Sequence, residues 1–405
     1  MAHSSVCKNA GCGFFAWDTG AILAHMLLFD ATQRTLRPIV AQLQQAGRSG
    51  RSAALYNECL AALEQARSLG DDAALVLIAQ TFGLVIDQDG YSDASIAWLL
   101  EAVECAKRCG EFGEQAHMLY LVGRAYYSRA EYGAALAYWT EGMEVGTRDG
   151  DRISWSWCKL GIGQICDALD APAIAVKLFS DLGANLARLD SSTQRLPISQ
   201  WARFDLRLRE LKAVNTVNLG VNQMHLGQYD EALASLRQGQ AMAQAQKMDD
   251  IASECLVRIA EIAALQGDHA QALELLVPAQ KALKACSHVW GLATLFLLRA
   301  QCQSALGQLA QASVSIASAR QAAKQANAQH IALRIERENA LIAEKSGDLA
   351  HALESMKTAA ALQTALDRGS KAHLLRHLQT LAEQSSAADR EAPGYSMGVR
   401  RKLSV

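Results

Sequence analysis

The chain has 405 residues, half of them hydrophobic, so it can bury a sizeable core and wholesale disorder is excluded. Its 39 basic and 41 acidic residues leave a formal charge of −2, which supplies no positive field for phosphates and argues against a nucleic-acid partner. Only five prolines and few alternating β-branched runs favour helices and argue against a sandwich or barrel.

Residues 1–31 hold one apolar stretch, Ala21 to Phe29. It contains His25, follows Asp18 and lacks a basic run before it, so it does not read as a signal peptide, and the segment has no clear role. Within 32–70, Leu36 to Leu43 and Ala53 to Leu69 read as a degenerate helix pair capping the N-terminal end. From residue 71 a rhythm of forty sets in. With a small residue inside an apolar helix as anchor, Gly83, Gly123 and Gly163 are 40 apart, and so are Gly220, Ala260, Ala300 and Ala340. Twelve residues after each anchor stand Ser95, Ala135, Ala175, Ala232, Ala272, Ala312 and Ala352, all small. Sixteen after come Leu99, Trp139, Phe179, Leu236, Leu276, Ile316 and Met356, all large. Seven after lie Gly90, Ala130, Asp170, Gly227, Gly267, Gly307 and Gly347, where five glycines suit the left-handed backbone that ends a helix. Each unit therefore reads as helix, turn, helix, with units 1–3 over 71–189 and units 4–7 over 213–367.

Between the halves the anchor step is 57, one period plus 17. This insertion, 190–212, carries Pro197 and the charged amphipathic run Trp201 to Glu210. It most simply extends the first helix of the fourth unit backwards, with Asp190-Ser191-Ser192 as a loop; a hinge or partner contact is the alternative. Beyond the units, Thr358 to Glu383 reads as one amphipathic helix with Leu362, Leu366, Leu374, Leu375, Leu378 and Leu381 near helical spacing. Residues 368–405 thus divide into a helix that caps the stack or pairs outside it, and a flexible tail ending near Arg400-Arg401-Lys402.

Leu226-Gly227-Gln228-Tyr229-Asp230-Glu231-Ala232-Leu233 and Tyr126 to Ala135 resemble the tetratricopeptide repeat (TPR). The likeness spans about residues 71 to 367, departing in its 40-residue period and in lacking the closing proline of most units. It implies an all-α, right-handed superhelical solenoid of seven to eight antiparallel helix pairs, and a concave groove lined by the first helix of each pair. It also implies that positions six and three before the anchor, and one and four after it, face a ligand. These include His117, Tyr120, Arg124 and Tyr127 in the second unit and Trp157, Gln164 and Asp167 in the third. Further along they include Glu254, Glu261, Arg334 and Arg337, whose opposite charges could orient a peptide. The aromatics around Tyr120 and Trp157, with Arg124, have the composition of a binding hot spot. The family's Lys and Asn carboxylate clamp is not reproduced, so a Glu-Glu-Val-Asp tail is not an expected ligand.

No phosphate loop, nucleophile elbow or His-Glu-x-x-His motif occurs, so no enzyme, cofactor or metal site is expected. His373 and His377 share a helix face without companion ligands, and the ten cysteines are scattered as reduced core residues rather than as a disulfide framework. The expectation is a cytoplasmic bacterial scaffold for a protein or peptide, with no membrane partner. The alternative follows from Leu362 to Gln379, which looks like the connector joining TPR sensor regions of bacterial signalling proteins to an output domain such as a diguanylate cyclase. The cyclase signature is absent, so an output would lie on another chain.

Overall fold

The computed structural model describes residues 52–89, 92–110, 112–192, 198–286, 288–326, 328–366 and 371–391. Segment 1–31, the first helix expected within 32–51, Gly90, Pro197 and the basic tail lie outside the described residues. Sixteen helices and no strand are found among the described residues. They are α1 (Ser52–Ser68), α2 (Asp72–Asp89), α3 (Asp93–Cys109), α4 (Phe112–Ser128), α5 (Tyr132–Asp149), α6 (Arg152–Ala168), α7 (Pro172–Ser192) and α8 (Ile198–His225). There follow α9 (Tyr229–Ala245), α10 (Asp249–Leu265), α11 (His269–Ala285), α12 (Val289–Ala305), α13 (Leu309–Gln325), α14 (Gln329–Lys345), α15 (Leu349–Leu366) and α16 (Lys371–Glu391). From α2 to α15, each even-numbered helix packs on the odd-numbered helix after it and also touches the next even-numbered one, the pattern of an all-α solenoid.

The forty-residue rhythm has a steric cause. A β-carbon on Gly123 would fall 2.4 Å from the Trp139 indole nitrogen, and one on Gly163 would fall 2.5 Å from the Phe179 ring. In these units, and in the fourth where Gly220 faces Leu236, the small anchor receives the bulky side chain of its own second helix, whereas Gly83 faces Leu121 of the next unit. Trp139 also presses on the next unit, where a β-carbon on Gly161 would meet its ring at 2.5 Å. Its Nε1 donates to the Tyr120 carbonyl at 3.0 Å, which satisfies the one polar atom that this burial would strand. Burying such a side chain contributes ~1.5–3 kcal/mol, and the gain recurs in each of the first six units. Turns within units pass through left-handed residues at Ala130, Asp170, Gly227, Gly267, Gly307 and Gly347, with φ between 59° and 91°. A second left-handed series, Gly70, Gly110, Gly150 and Lys247, joins one unit to the next.

Two expectations need correction. Asp190 to Ser192 form the last turn of α7 rather than a loop, because nothing from Leu186 onward breaks a helix before Pro197. The insertion is thus shared between α7, of 21 residues, and α8, of 28, where most other helices have 17 or 18. Likewise α15 and α16 are separate helices. Rather than capping α15, α16 packs outside the stack against α7 and touches α6, burying Leu378 and Ala382 in the core of the first three units. That core is one continuous cluster, whereas units 4 to 7 are held by three smaller clusters in series. Among the described residues no helix is long and apolar enough to cross a membrane.

Candidate functional site

The first helices α4, α6, α8, α10, α12 and α14 line the inner wall, and two clusters of polar and aromatic side chains form on it. Residues three or four apart share a helix face, so His117, Tyr120, Arg124 and Tyr127 stand in a row on α4. Tyr120 is buried between the His117 ring, 6.0 Å away, and the Trp157 ring of α6, 5.4 Å away. The structure therefore brings His117, Tyr120 and Trp157 together. Arg124 and Gln164 are half-buried on the same helices. The insertion also reaches this place, since Arg207 Nη2 lies 2.8 Å from His117 Nδ1. A guanidinium has no acceptor, so that ring nitrogen carries no proton in this contact.

The second cluster joins residues from non-adjacent units. Arg258 of α10 is its hub, with Nη1 donating to Glu261 Oε2 at 2.9 Å and Nη2 to Glu254 Oε1 at 3.4 Å. Arg334 of α14 reaches the other Glu261 oxygen at 3.5 Å, bridging the fifth unit and the seventh. Between α6 and α8, Asp167 Oδ1 approaches His225 Nδ1 at 3.2 Å, an ion pair whenever the imidazole is doubly protonated. The Arg258 guanidinium sits 5.8 Å from the Trp290 ring, which in turn neighbours His330 at 6.3 Å.

Burial shapes the electrostatics of this cluster. It works against the Arg258 charge, yet Glu261 and Glu254 outweigh it and hold the guanidinium more basic than usual. It likewise opposes ionisation of Glu261, but Arg258 and Arg334 bring that carboxyl below its ordinary value. At His330 burial and then Arg334 outweigh the opposing Asp167 carboxylate, pushing the imidazole down to about 4 and leaving it neutral at pH 7. Burial raises the Tyr127 phenol well above its ordinary value, with Tyr132, Asp167 and Glu254 adding to the effect.

Of the expected groove residues, Glu254, Glu261 and Arg334 converge on this cluster, Asp167 meets His225, Tyr127 packs on the Tyr132 and Trp139 rings at 5.6 and 5.8 Å, and Arg337 turns to its own unit's second helix and donates to Gln363 at 2.8 Å. Of the charges expected to give the far end its polarity, Glu261 pairs with Arg258 and Arg334, Glu254 with Arg258, and Arg337 with the neutral Gln363. Arg258 was not among the expected positions, although Glu254 four before it and Glu261 three after it were a readable signal. Its Nε is buried without a hydrogen-bond partner. Among the described residues no three His, Cys, Asp or Glu side chains converge as metal ligands.

No family model matches the sequence, and no curated protein matches it. Solved structures do match. A Rap protein complexed with competence and sporulation factor aligns at 11% identity over 87% of this chain and 99% of that one, with a TM-score of 0.54. The Rap conjugation gene regulator of the plasmid pLS20, in complex with the Phr* peptide, aligns at 12% identity over 89% and 98%, with a TM-score of 0.50. At such identities the likeness is one of fold, that of a TPR-like helical-repeat solenoid.

Proposed function

We propose that this chain is a non-enzymatic regulatory scaffold that holds a peptide or an extended protein segment against the inner wall formed by its first helices. The observation that carries the reading is the Arg258 cluster. Charged groups are costly to bury unless paired, and here they are paired along α10 and from α10 to α14, with one buried donor, Arg258 Nε, still unspent. A peptide with polar groups can exchange for these contacts, while Tyr120 and Trp157 offer aromatic area with few rotors to freeze. The two solenoids of like shape, one complexed with competence and sporulation factor and the other with the Phr* peptide, are in keeping with a peptide as the guest. The regulatory part of the reading rests on Glu261 and Arg334, because breaking that pair uncouples the fifth unit from the seventh. Its setting is a bacterial cytoplasm, in keeping with eight described cysteines that are all free.

The test is selection from a displayed random-peptide library on the full chain, followed by titration of the enriched peptides. Binding is expected to weaken at least tenfold, about 1.4 kcal/mol, in Glu254→Gln and in Trp157→Ala. The small-angle scattering profile is expected to change with bound peptide. Peptides that bind both variants as tightly as the native chain would place the site elsewhere.

A further inference from the structure

The last helix has two seats in this fold and fills only one of them. First helices of the later units begin eleven residues before the anchor, at Asp249, Val289 and Gln329. One more period puts the next anchor at Thr380 and the next start at 369, so α16, which begins at Lys371, is in phase as the first helix of an eighth unit. Its side chains agree. The position five before the anchor is buried and apolar at Met118, Cys255, Leu295 and Ile335, and α16 has Leu375 there; two after the anchor, Ile262, Cys302 and Ile342 are buried, and α16 has Ala382.

The seat that phase assigns to α16 is nevertheless empty. Leu99, Trp139, Phe179, Leu236, Leu276 and Ile316 are at most 1% exposed, whereas Met356, the seventh in that series, is 52% exposed. Leu353 beside it is 58% exposed and Leu349 69%. An apolar strip of this kind is what an internal unit buries under its successor. Gly161 shows how, since it stands two before its anchor and lies on Trp139 of the preceding unit. Leu378 holds that phase in α16 and would lie on Met356. The seat actually occupied is imperfectly filled, with an open cleft of about 430 Å³ between α5, α6 and α16, lined in part by Met143, Trp155, Ile162 and Leu381. Loose packing forfeits contact energy, which lowers the cost of leaving.

We propose that α16 is a movable strap, which in this structure ties the end of the seventh unit back to the third and in a second state swings onto α15 as the missing cap. In the strapped state the span between those units is fixed at both ends. In the capped state the strap is released and the coil is free to change pitch. The inference stands on the repeat phase and the exposed strip, independently of what the trough binds.

The test compares amide hydrogen exchange of the full chain with its Leu381→Asp variant. Leu381 touches the α6 seat, but in the capping phase it falls one after the anchor, a groove-facing position, so the substitution penalises the strap and not the cap. Exchange is expected to quicken in α7 and to slow at least threefold in α15, and Met356→Asp added to Leu381→Asp is expected to cancel the slowing. A fixed strap with no second seat predicts faster α7 and unchanged α15, and that result would overturn the proposal. Slowing of α15 that grows with protein concentration would also overturn it, because a second copy would then be the occupant.

Discussion

Replacing Arg258 by Met tests whether the inner-wall cluster is the buried, paired structure described above. The side chains of Arg258, Glu261 and Glu254 are only 8%, 12% and 17% exposed, so removal of the guanidinium strands two poorly solvated carboxylates. Breaking a buried pair costs ~3–5 kcal/mol, and the lower end, about 3 kcal/mol, applies here because Arg334 still reaches Glu261. The loss should depend on pH. In the native chain burial opposes ionisation of Glu261, and Arg258 and Arg334 more than offset it, so its folded value lies below the unfolded one. Such an acid contributes stability that is complete above the unfolded value, ~4.3, and is lost as pH falls through the folded value. In Arg258→Met burial prevails, the folded value rises above the unfolded one and the sign reverses, giving a penalty at neutral pH that vanishes in acid as Glu261 takes a proton. Urea unfolding followed by circular dichroism should therefore show a gap of about 3 kcal/mol near pH 7.5, closing toward ~pH 4. Arg258→Met/Glu261→Leu should recover much of it, since an apolar replacement strands no charge. A loss below ~1 kcal/mol, or one equal at both pH values, would mean that the cluster is solvated and would refute the reasoning.

Three further outcomes follow from the packing. Gly123→Ala is expected to cost ~1–3 kcal/mol by driving a methyl into the Trp139 ring, while Gly133→Ala, which meets nothing within 4 Å, should be neutral or stabilising in the same thermal melt. Ala130→Gly relieves a left-handed residue at φ 60° and is expected to raise stability by ~1 kcal/mol, whereas Ala125→Gly, inside α4, should lower it by a similar amount. His330, neutral in the fold because its value is pushed down to about 4, keeps full stability above its unfolded value of 6.5 and loses it as pH falls between 6.5 and 4. His330→Gln should flatten that part of the curve, and an NMR titration placing the ring near 6.5 would contradict it.

The helices were legible because the periodic positions are read from two sides. Trp139 is fixed by Gly123 in its own unit and Gly161 in the next, so size at these offsets is constrained wherever a neighbour exists. The turns within units were legible through their glycines, but the second series of left-handed residues was not. One of its members, Lys247, pays for the conformation without glycine and leaves no mark in the sequence. In the site, the local pairs around Arg258 follow from spacings of three and four along one helix. Contact between Glu261 and Arg334 does not, since 73 residues and the pitch of the superhelix separate them. The same holds for Arg207 at His117, which depends on how far the insertion lengthens α8. For Arg337, groove phase is likewise silent about the partner it takes, Gln363 of its own unit's second helix.

These differences locate where the coil can yield. The first three units share one core, to which α16 adds Leu378 and Ala382, so deforming them separates apolar surfaces worth ~25 cal/mol per Å². Beyond α8 the buried apolar contacts divide into three clusters in series, with Leu292 and Phe296 packed on two of them, and polar links such as Glu261 to Arg334 and Lys345 Nζ to Ser304 Oγ at 3.0 Å add to the joins between units. A hydrogen bond of this kind contributes a net ~0.5–1.5 kcal/mol, and charged ones somewhat more. A guest that replaces one or two of them shifts the balance of shapes about tenfold for each 1.4 kcal/mol of preference, a modest demand on binding energy. Where apolar packing joins each unit mainly to its neighbours, as it does beyond α8, such a shift stays within that stretch. A peptide-dependent change of pitch should therefore be concentrated between α8 and α15, with α1 to α7 moving as one block.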